Sequence, residues 1–388
     1  MQTEIAFVVD ALAGTGGAEK VLMAALEAFP GAPVYALVYN PAPFTQSPIA
    51  YSPITTSFVN RLPLSRQHYR SYLPFMPLAV EGFDLSRFER IVSFSYAVAH
   101  GVRTLPGQTH LSYTYTPMRY AWRSAPLQGK LSRWQWLANK VLRSFRRWDL
   151  RAVDQVDQIG AISHYIAGWI QFAYQRDAAV IYPPVDVDRF HPLHPRGNYY
   201  VTVSRLVAHK RLDLIVAAFT ALNLPLVIVG EGPELANLRK IAGPNITFSG
   251  YQDDKAVASL LGRARAFVYA SEEDFGIAIV EAQAAGCPVI AYGKGGAAET
   301  VREGTTGLLF HEQSASSLLD AVERFERQAA SFDEHELVMH ARRFNKERFK
   351  NEFLAFVYQK EPLAELNRTD LPVRLAERHS LTKQSLPG

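Results

Sequence analysis

An α/β fold with two parallel sheets is what the sequence predicts, and three observations predict it. Short β-rich apolar runs alternate with helical patterns along most of the chain, the pattern of repeated βαβ units. The length of 388 residues suits two domains at about 150 residues each. Near the middle the alternation breaks at Pro183-Pro184-Val185-Asp186-Val187-Asp188-Arg189-Phe190-His191-Pro192 and Pro195-Arg196-Gly197-Asn198, then restarts. Proline fixes the backbone and pushes the preceding residue to extended conformations, so this stretch punctuates rather than packs.

In order, strands are expected near Ile5–Leu12, Val34–Tyr39, Ile54–Val59, Arg90–Ser95, Thr109–Tyr115, Gln158–Ile162 and Val180–Tyr182. A second set lies at Tyr199–Leu206, Leu226–Gly230, Ile246–Gly250, Ala266–Ala270, Val289–Tyr292 and Gly307–Phe310. The reading is two Rossmann-like domains, residues 1–190 and 195–343. A helical run covers 345–361, and 367–388 is polar without periodicity and reads as a mobile tail.

Composition narrows the function classes. Hydrophobic residues at 48% with charged residues at 20% exclude wholesale disorder. One cysteine, Cys287, excludes a disulfide framework or a thiolate metal cage within the chain and points to a reducing cytoplasm. The start, Glu4 to Asp10, lacks the basic region and long apolar run of a signal peptide, and no run of about 18 apolar residues suggests a spanning helix. A net charge of +4 gives no argument for nucleic acid, and none is expected as a partner.

The most informative segment is Glu273-Asp274-Phe275-Gly276-Ile277-Ala278-Ile279-Val280-Glu281, which comes after a strand and opens a helix. An early glycine lets the backbone approach a ligand, and the first helical amides favour an anion. Glu273 and Glu281 would share one helix face if both are helical, one at the mouth and one deeper. Acidic caps at a helix start remain the alternative. Upstream, Val203-Ser204-Arg205-Leu206-Val207-Ala208-His209-Lys210-Arg211 places Arg205 and Lys210 on a loop after a strand. These cations suit a diphosphate leaving group, Arg as a bidentate fork and Lys as a point charge, and they equally suit a solvated basic turn. Gly230-Glu231-Gly232-Pro233 is a tight strand-to-helix turn. Gly14-Thr15-Gly16-Gly17-Ala18-Glu19 approaches the dinucleotide pattern, but Glu19 stands where close helix packing needs a small residue.

The spacing of Glu273 and Glu281 resembles the E-x7-E motif of retaining glycosyltransferase family 4, and Pro288–Glu299 is similar to the family's segment just downstream of that motif. Ser95–Val102, Tyr113–Trp122 and Ala161–Phe190 resemble a mannosyltransferase-like subset of the family. The resemblance runs from about Ile5 to Glu361 and implies a GT-B fold, with the helix after Phe344 crossing back to the first domain. It implies a retaining transfer of a hexose, foremost mannose from GDP-mannose, to a glycan or lipid-linked sugar acceptor, in cell-surface polysaccharide or glycolipid assembly. By the same resemblance Arg205 and Lys210 clamp the pyrophosphate, and Glu273 with Phe275, Gly276 and Ile277 handles the hexose and phosphate. Glu281 holds the ribose, Gly16 and Gly17 face the donor phosphates, and Gly230, Gly232 and Tyr251 border the base.

The subset commonly has histidine where Tyr115 stands, so His100 is the candidate imidazole, with a structural role as its alternative. No Asp-x-Asp ends a strand, so neither a metal nor a cofactor is expected beyond the donor. A sugar-nucleotide epimerase of this architecture and a non-catalytic partner subunit are the rival readings. Residues 130–151 carry an apolar arc with Trp134, Phe145 and Trp148 opposite a basic arc with Arg133, Lys140, Arg143, Arg146, Arg147 and Arg151. That pattern suits either an anionic membrane surface, making the protein peripheral on the inner face of the plasma membrane, or a helix packed on the core.

Overall fold

The computed structural model describes residues 4–122 and 133–358. The expected tail 367–388, residues 130–132 and the end of the run 345–361 lie outside the described residues.

Seven strands form the first sheet: β1 (Ile5–Leu12), β2 (Val34–Tyr39), β3 (Ile54–Thr56), β4 (Arg90–Ser95), β5 (Thr109–Thr114), β6 (Gln158–Ala161) and β7 (Ala179–Val180), in the order β3-β2-β1-β4-β5-β6-β7. Six form the second: β8 (Tyr200–Val203), β9 (Leu226–Val229), β10 (Ile246–Gly250), β11 (Ala266–Tyr269), β12 (Val289–Tyr292) and β13 (Gly307–Phe310), in the order β10-β9-β8-β11-β12-β13. Neighbouring strands run parallel, as in the pairing of Phe7 with Val34 and of Val201 with Val227. Helices cover both faces of such a sheet, which is why β1 is buried at every position.

Some strands stop short of the apolar run, and local bonds say why. β3 ends at Thr56 because the Ser57 hydroxyl accepts from the Val59 amide and starts a tight turn. β8 ends at Val203 because the Leu206 amide turns away to the Glu231 carbonyl at 2.9 Å.

In each sheet the strand order reverses beside the first strand of the set, between β1 and β4 and between β8 and β11. Ligands of open α/β sheets bind at that reversal, outside the carboxyl ends of the strands. The glycine loop 14–17 leaves β1 at that end, and the segments 204–211 and 270–277 leave β8 and β11.

The helix Lys346–Tyr358 returns to the first sheet. Phe349, Phe353 and Phe356 are buried there, and the Phe353 ring lies edge-on to Phe7 and Phe29 at 6.2 and 6.0 Å. Lys346 reaches Glu27 at 3.0 Å, and the Val185 amide donates to the Phe344 carbonyl at 2.9 Å, and both contacts tie the second half to the first. One buried cluster runs through both sheets. Among the described residues no helix is long and apolar enough to cross a membrane.

Candidate active site

Glu273 is not helical: the helix begins at Ile277, and Glu273 sits four residues earlier in the turn that leads into it. The expectation that Glu273 and Glu281 share a helix face is thereby corrected. Gly276 explains the difference, since at φ +91° it bends the chain into a conformation that side chains rarely adopt and aims the turn away from the helix axis. A second pair of glycines lies behind the turn. A β-carbon on Gly295 would come 2.2 Å from the Glu273 carbonyl oxygen, and one on Gly296 would meet Phe275 at 2.3 Å, so the two backbones touch directly.

Three donors converge on Glu273 Oε1: Lys210 Nζ at 2.5 Å, the Ser271 hydroxyl at 2.8 Å and the Tyr269 hydroxyl at 3.0 Å. Burial pushes the Glu273 carboxyl up, but Lys210 and the two hydroxyls outweigh it and hold the pKa below its ordinary value. Tyr269 is driven well above the ordinary phenol range by burial first and by the Glu273 charge second. Glu273 is therefore an ionised acceptor beside a cation. Lys210 ends the short turn Ala208–Lys210, and Arg211 behind it takes a left-handed conformation at φ +52° that redirects the chain into the helix Leu212–Leu222. Arg205 is exposed on the same loop. Burial, then the positive charge of Lys210, lowers the His209 pKa, and Arg119 and Arg205 add to that effect, so these cations share one end of the cleft.

Gly230 and Gly232 pack on that loop. β-Carbons there would lie 2.0 Å from the Ser204 carbonyl oxygen and 2.3 Å from that of Leu206. The Gly230 amide donates to the Gly250 carbonyl at 2.8 Å, and the neighbouring Tyr251 is exposed. The structure thus brings Gly230, Gly232, Tyr251 and Arg205 into one rim of the second sheet.

From the first sheet the glycine loop faces this turn. A β-carbon on Gly17 would be 3.0 Å from Ile277 Cδ1, so the loop meets the head of the helix across the cleft. Gly16 caps the helix Gly17–Ala28. Three residues on, the Glu19 carboxylate accepts from the Gly16 amide as well as from its own, and burial outweighs both bonds and pushes its pKa up to about 7.

Glu281 lies deeper and is 8% exposed. Its Oε1 accepts from Lys20 Nζ at 3.0 Å and from Arg189 at 3.4 Å, so one partner comes from the first-sheet side and one from the connection. Sequence reasoning did not single out Lys20 or Arg189. It also passed over Arg119, which forms an ion pair with Asp274 across the cleft, although Arg119 stands in the family-like segment Tyr113–Trp122. Glu299 entered the sequence reading only as the end of a motif. It accepts from the His164 and Tyr165 amides at 2.9 and 2.7 Å and so caps a first-half helix from the second half.

His100 is buried, with Nδ1 2.9 Å from the Ser95 hydroxyl and Nε2 3.0 Å from Asp149 Oδ1. The Asp149 carboxylate also accepts from Trp122 at 2.6 Å and from Tyr174 at 2.9 Å. Both ring nitrogens of His100 therefore face protein groups. The Tyr115 hydroxyl donates to the Ala18 carbonyl at 2.9 Å, which ties its strand end to the glycine-loop helix.

The basic helix spans Arg133–Val153. Phe145 and Trp148 pack against the first-sheet core, and the Trp148 indole donates to Glu81 at 2.7 Å, so the core-packing reading holds for those two residues. The side chain of Trp134 lies outside the described residues.

The family described as Glycosyl transferases group 1 matches residues 186–344. A GDP-mannose-dependent alpha-(1-6)-phosphatidylinositol monomannoside mannosyltransferase of Mycobacterium tuberculosis is 33% identical over 219 residues, covering 48% of this chain and 56% of that protein. A D-inositol 3-phosphate glycosyltransferase of Mycobacterium leprae is 28% identical over 206 residues, covering 46% of this chain and 48% of that protein. The chain spans about half the length of these curated relatives. Among solved structures, Anabaena Alr3699/HepE in complex with UDP and glucose matches with a TM-score of 0.67 at 16% identity, covering 92% of this chain and 99% of that one. Sucrose-phosphate synthase (tll1590) from Thermosynechococcus elongatus matches with a TM-score of 0.70 at 20% identity, covering 92% and 98%. The two facing parallel sheets are a GT-B fold.

Proposed function

We propose, from the match of residues 186–344 to the family described as Glycosyl transferases group 1 and from the GT-B scaffold, a retaining glycosyltransferase that moves a hexose from a nucleoside-diphosphate sugar to an acceptor sugar. The observation that carries this reading is the Lys210–Glu273 pair at 2.5 Å, set between a glycine-bent turn and the facing loop at Gly17. GDP-mannose is the favoured donor, on the mannosyltransferase relatives, and a lipid-linked glycan is the favoured acceptor.

In this mechanism the bond between the sugar's anomeric carbon and the phosphate oxygen breaks, and the electron pair leaves with the diphosphate. Lys210 and Arg205 stabilise the developing charge there, a role that requires no resident cofactor in the proposal. The acceptor hydroxyl attacks from the same face, and its proton passes to the departing phosphate oxygen. Glu273 orients the hexose through its hydroxyls while keeping Lys210 in place, and Glu281 accepts from the ribose. The transfer takes place on the cytoplasmic face, where nucleotide sugars are made.

Incubation with a panel of nucleotide sugars, with and without lipid-linked acceptors, tests this by mass spectrometry. Acceptor-dependent release of nucleoside diphosphate with a matching gain of one hexose on the acceptor is expected. A rearranged nucleotide sugar without acceptor would make it an epimerase, and no turnover of any donor would overturn the reading.

A further inference from the structure

The first-half helix His164–Tyr174 begins against the turn that carries Glu273. Helices leave their first amides without partners inside the helix. Here the capping residue Ser163 accepts from the Ile166 amide at 3.1 Å and donates to the Asp274 carbonyl at 2.6 Å, so the cap is bonded to the residue beside Glu273. The two amides between, of His164 and Tyr165, donate to Oε2 and Oε1 of Glu299. A carboxylate at a helix N-terminus meets both these amides and the positive end of the helix dipole. The Tyr182 hydroxyl, just past β7, donates to the same Oε2 at 3.1 Å. Both oxygens of Glu299 are therefore engaged by protein donors from outside the second sheet.

Glu299 is in turn tied to Glu273 through backbone. It stands on the short helix Ala297–Thr300, whose preceding residue Gly296 donates its amide to the Glu273 carbonyl at 2.7 Å, and Gly295 pairs with Glu273 in a parallel bridge. With no space for a β-carbon at either glycine, neither segment can slide without carrying the other. The buried Phe275 ring lies beside this contact, with the Tyr182 ring at 5.6 Å and the Phe344 ring at 5.5 Å. The Glu273 turn is thus joined to one first-half helix twice, directly through Ser163 and indirectly through Glu299. The Arg119–Asp274 ion pair and the bond from the Tyr165 hydroxyl to Glu272 lie on the same seam.

Geometry across this seam decides the rate of a transfer whose substrates meet between two halves, because misplacing a reacting group by about 1 Å can cost on the order of 10²-fold. Exposed ion pairs such as Lys346–Glu27 hold such a geometry weakly. A half-buried carboxylate accepting two backbone amides and a hydroxyl holds it more firmly, since charge-assisted bonds are about twice as strong as neutral ones. We infer that Glu299 is a positioning residue: by gripping the head of the helix His164–Tyr174 it sets, through Gly296, the place of Glu273 against the first half. The inference rests on the reading of Glu273 as the group that orients the hexose.

Hydrogen–deuterium exchange, calorimetry with GDP and UDP, and steady-state kinetics on the full chain test this. In Glu299→Ala, amide exchange should rise both at the helix head, residues 164–167, and in the turn 271–277 of the other half. Affinity for the nucleoside diphosphate should stay within about twofold, while kcat falls by about tenfold or more. Glu299→Gln keeps the volume and one acceptor oxygen, so it should show the same pattern at smaller amplitude, and it carries the test if the alanine variant does not fold. Exchange that rises at the helix head alone, or a kcat equal to wild type in the variants, overturns the inference and leaves Glu299 a local cap. A loss of nucleoside diphosphate affinity as large as the loss of kcat overturns it too, since that would put Glu299 in donor binding. Unchanged transfer in Glu273→Gln would instead remove the reading of Glu273 itself, whatever Glu299→Ala does.

Discussion

Lys20 Nζ lies 3.0 Å from Glu281 Oε1, joining the glycine-loop helix of one sheet to the helix that begins at Ile277 in the other. With Arg189 on the same oxygen at 3.4 Å, the Glu281 carboxylate is held in place before any ribose arrives. Glu281→Ala is expected to weaken GDP or UDP binding by about tenfold or more, since hydrogen bonds to a charged acceptor contribute roughly 1.5–3 kcal/mol each. Lys20→Ala should act more mildly, because Arg189 still holds the carboxylate. Calorimetric titration of both variants measures the difference, and equal losses would show that Lys20 itself meets the nucleotide.

Asp10 is 2% exposed, and the backbone amides of Tyr96, Ala97, Val98 and Ala99 donate to it at 2.7 to 2.9 Å. This one carboxylate orders the turn after β4 that carries His100. Asp10→Ala would strand four inward amides, so a loss of about 3 kcal/mol or more of stability is expected. Asp10→Asn, which keeps acceptor capacity on one oxygen, should lose less. Urea unfolding of the two variants checks the order.

Glu19 supplies a pH signature. Burial raises its folded pKa to about 7 from an ordinary 4.5, so the folded state holds its proton longer than the unfolded chain. Its stability contribution is complete below pH 4.5 and is lost as pH rises through about 7, a difference on the order of 3 kcal/mol. Glu19→Gln removes that dependence while keeping an acceptor for the Gly16 amide. The variant's melting temperature should overtake the wild type between these pH values and then run parallel to it.

Much of the fold was legible in the sequence because buried parallel strands read as unbroken apolar runs, and every expected strand from Ile5–Leu12 to Gly307–Phe310 has a counterpart. Lys210 and Glu273, both picked out from the sequence, meet at 2.5 Å in the structure. The contacts that escaped are those between distant segments: Lys20 with Glu281, Arg119 with Asp274, and Glu299 capping His164 and Tyr165. Each joins elements whose approach depends on how the sheets face, and no local pattern encodes that. The placement of Glu273 before the helix rather than on it depends on the left-handed Gly276, which the sequence shows only as a glycine.

The pair Lys210 and Glu273 gives the most discriminating prediction, because the two groups fix each other and yet should fail differently. Lys210→Ala removes the cation that keeps the Glu273 carboxyl below its ordinary pKa while burial continues to push it up, so the carboxyl should titrate higher in the variant. The loss of a preorganised charge on the leaving group should lower turnover by about 10²–10³-fold. Glu273→Gln keeps the shape but leaves Lys210 without its partner, so affinity for the bare nucleoside diphosphate should hold or rise while transfer falls. Steady-state kinetics with calorimetric binding of the nucleoside diphosphate separates the two, and a pH–rate profile of Lys210→Ala should show its acid limb displaced upward. Unchanged turnover in Lys210→Ala, or loss of nucleotide binding in Glu273→Gln with turnover intact, would remove this pair from the reaction.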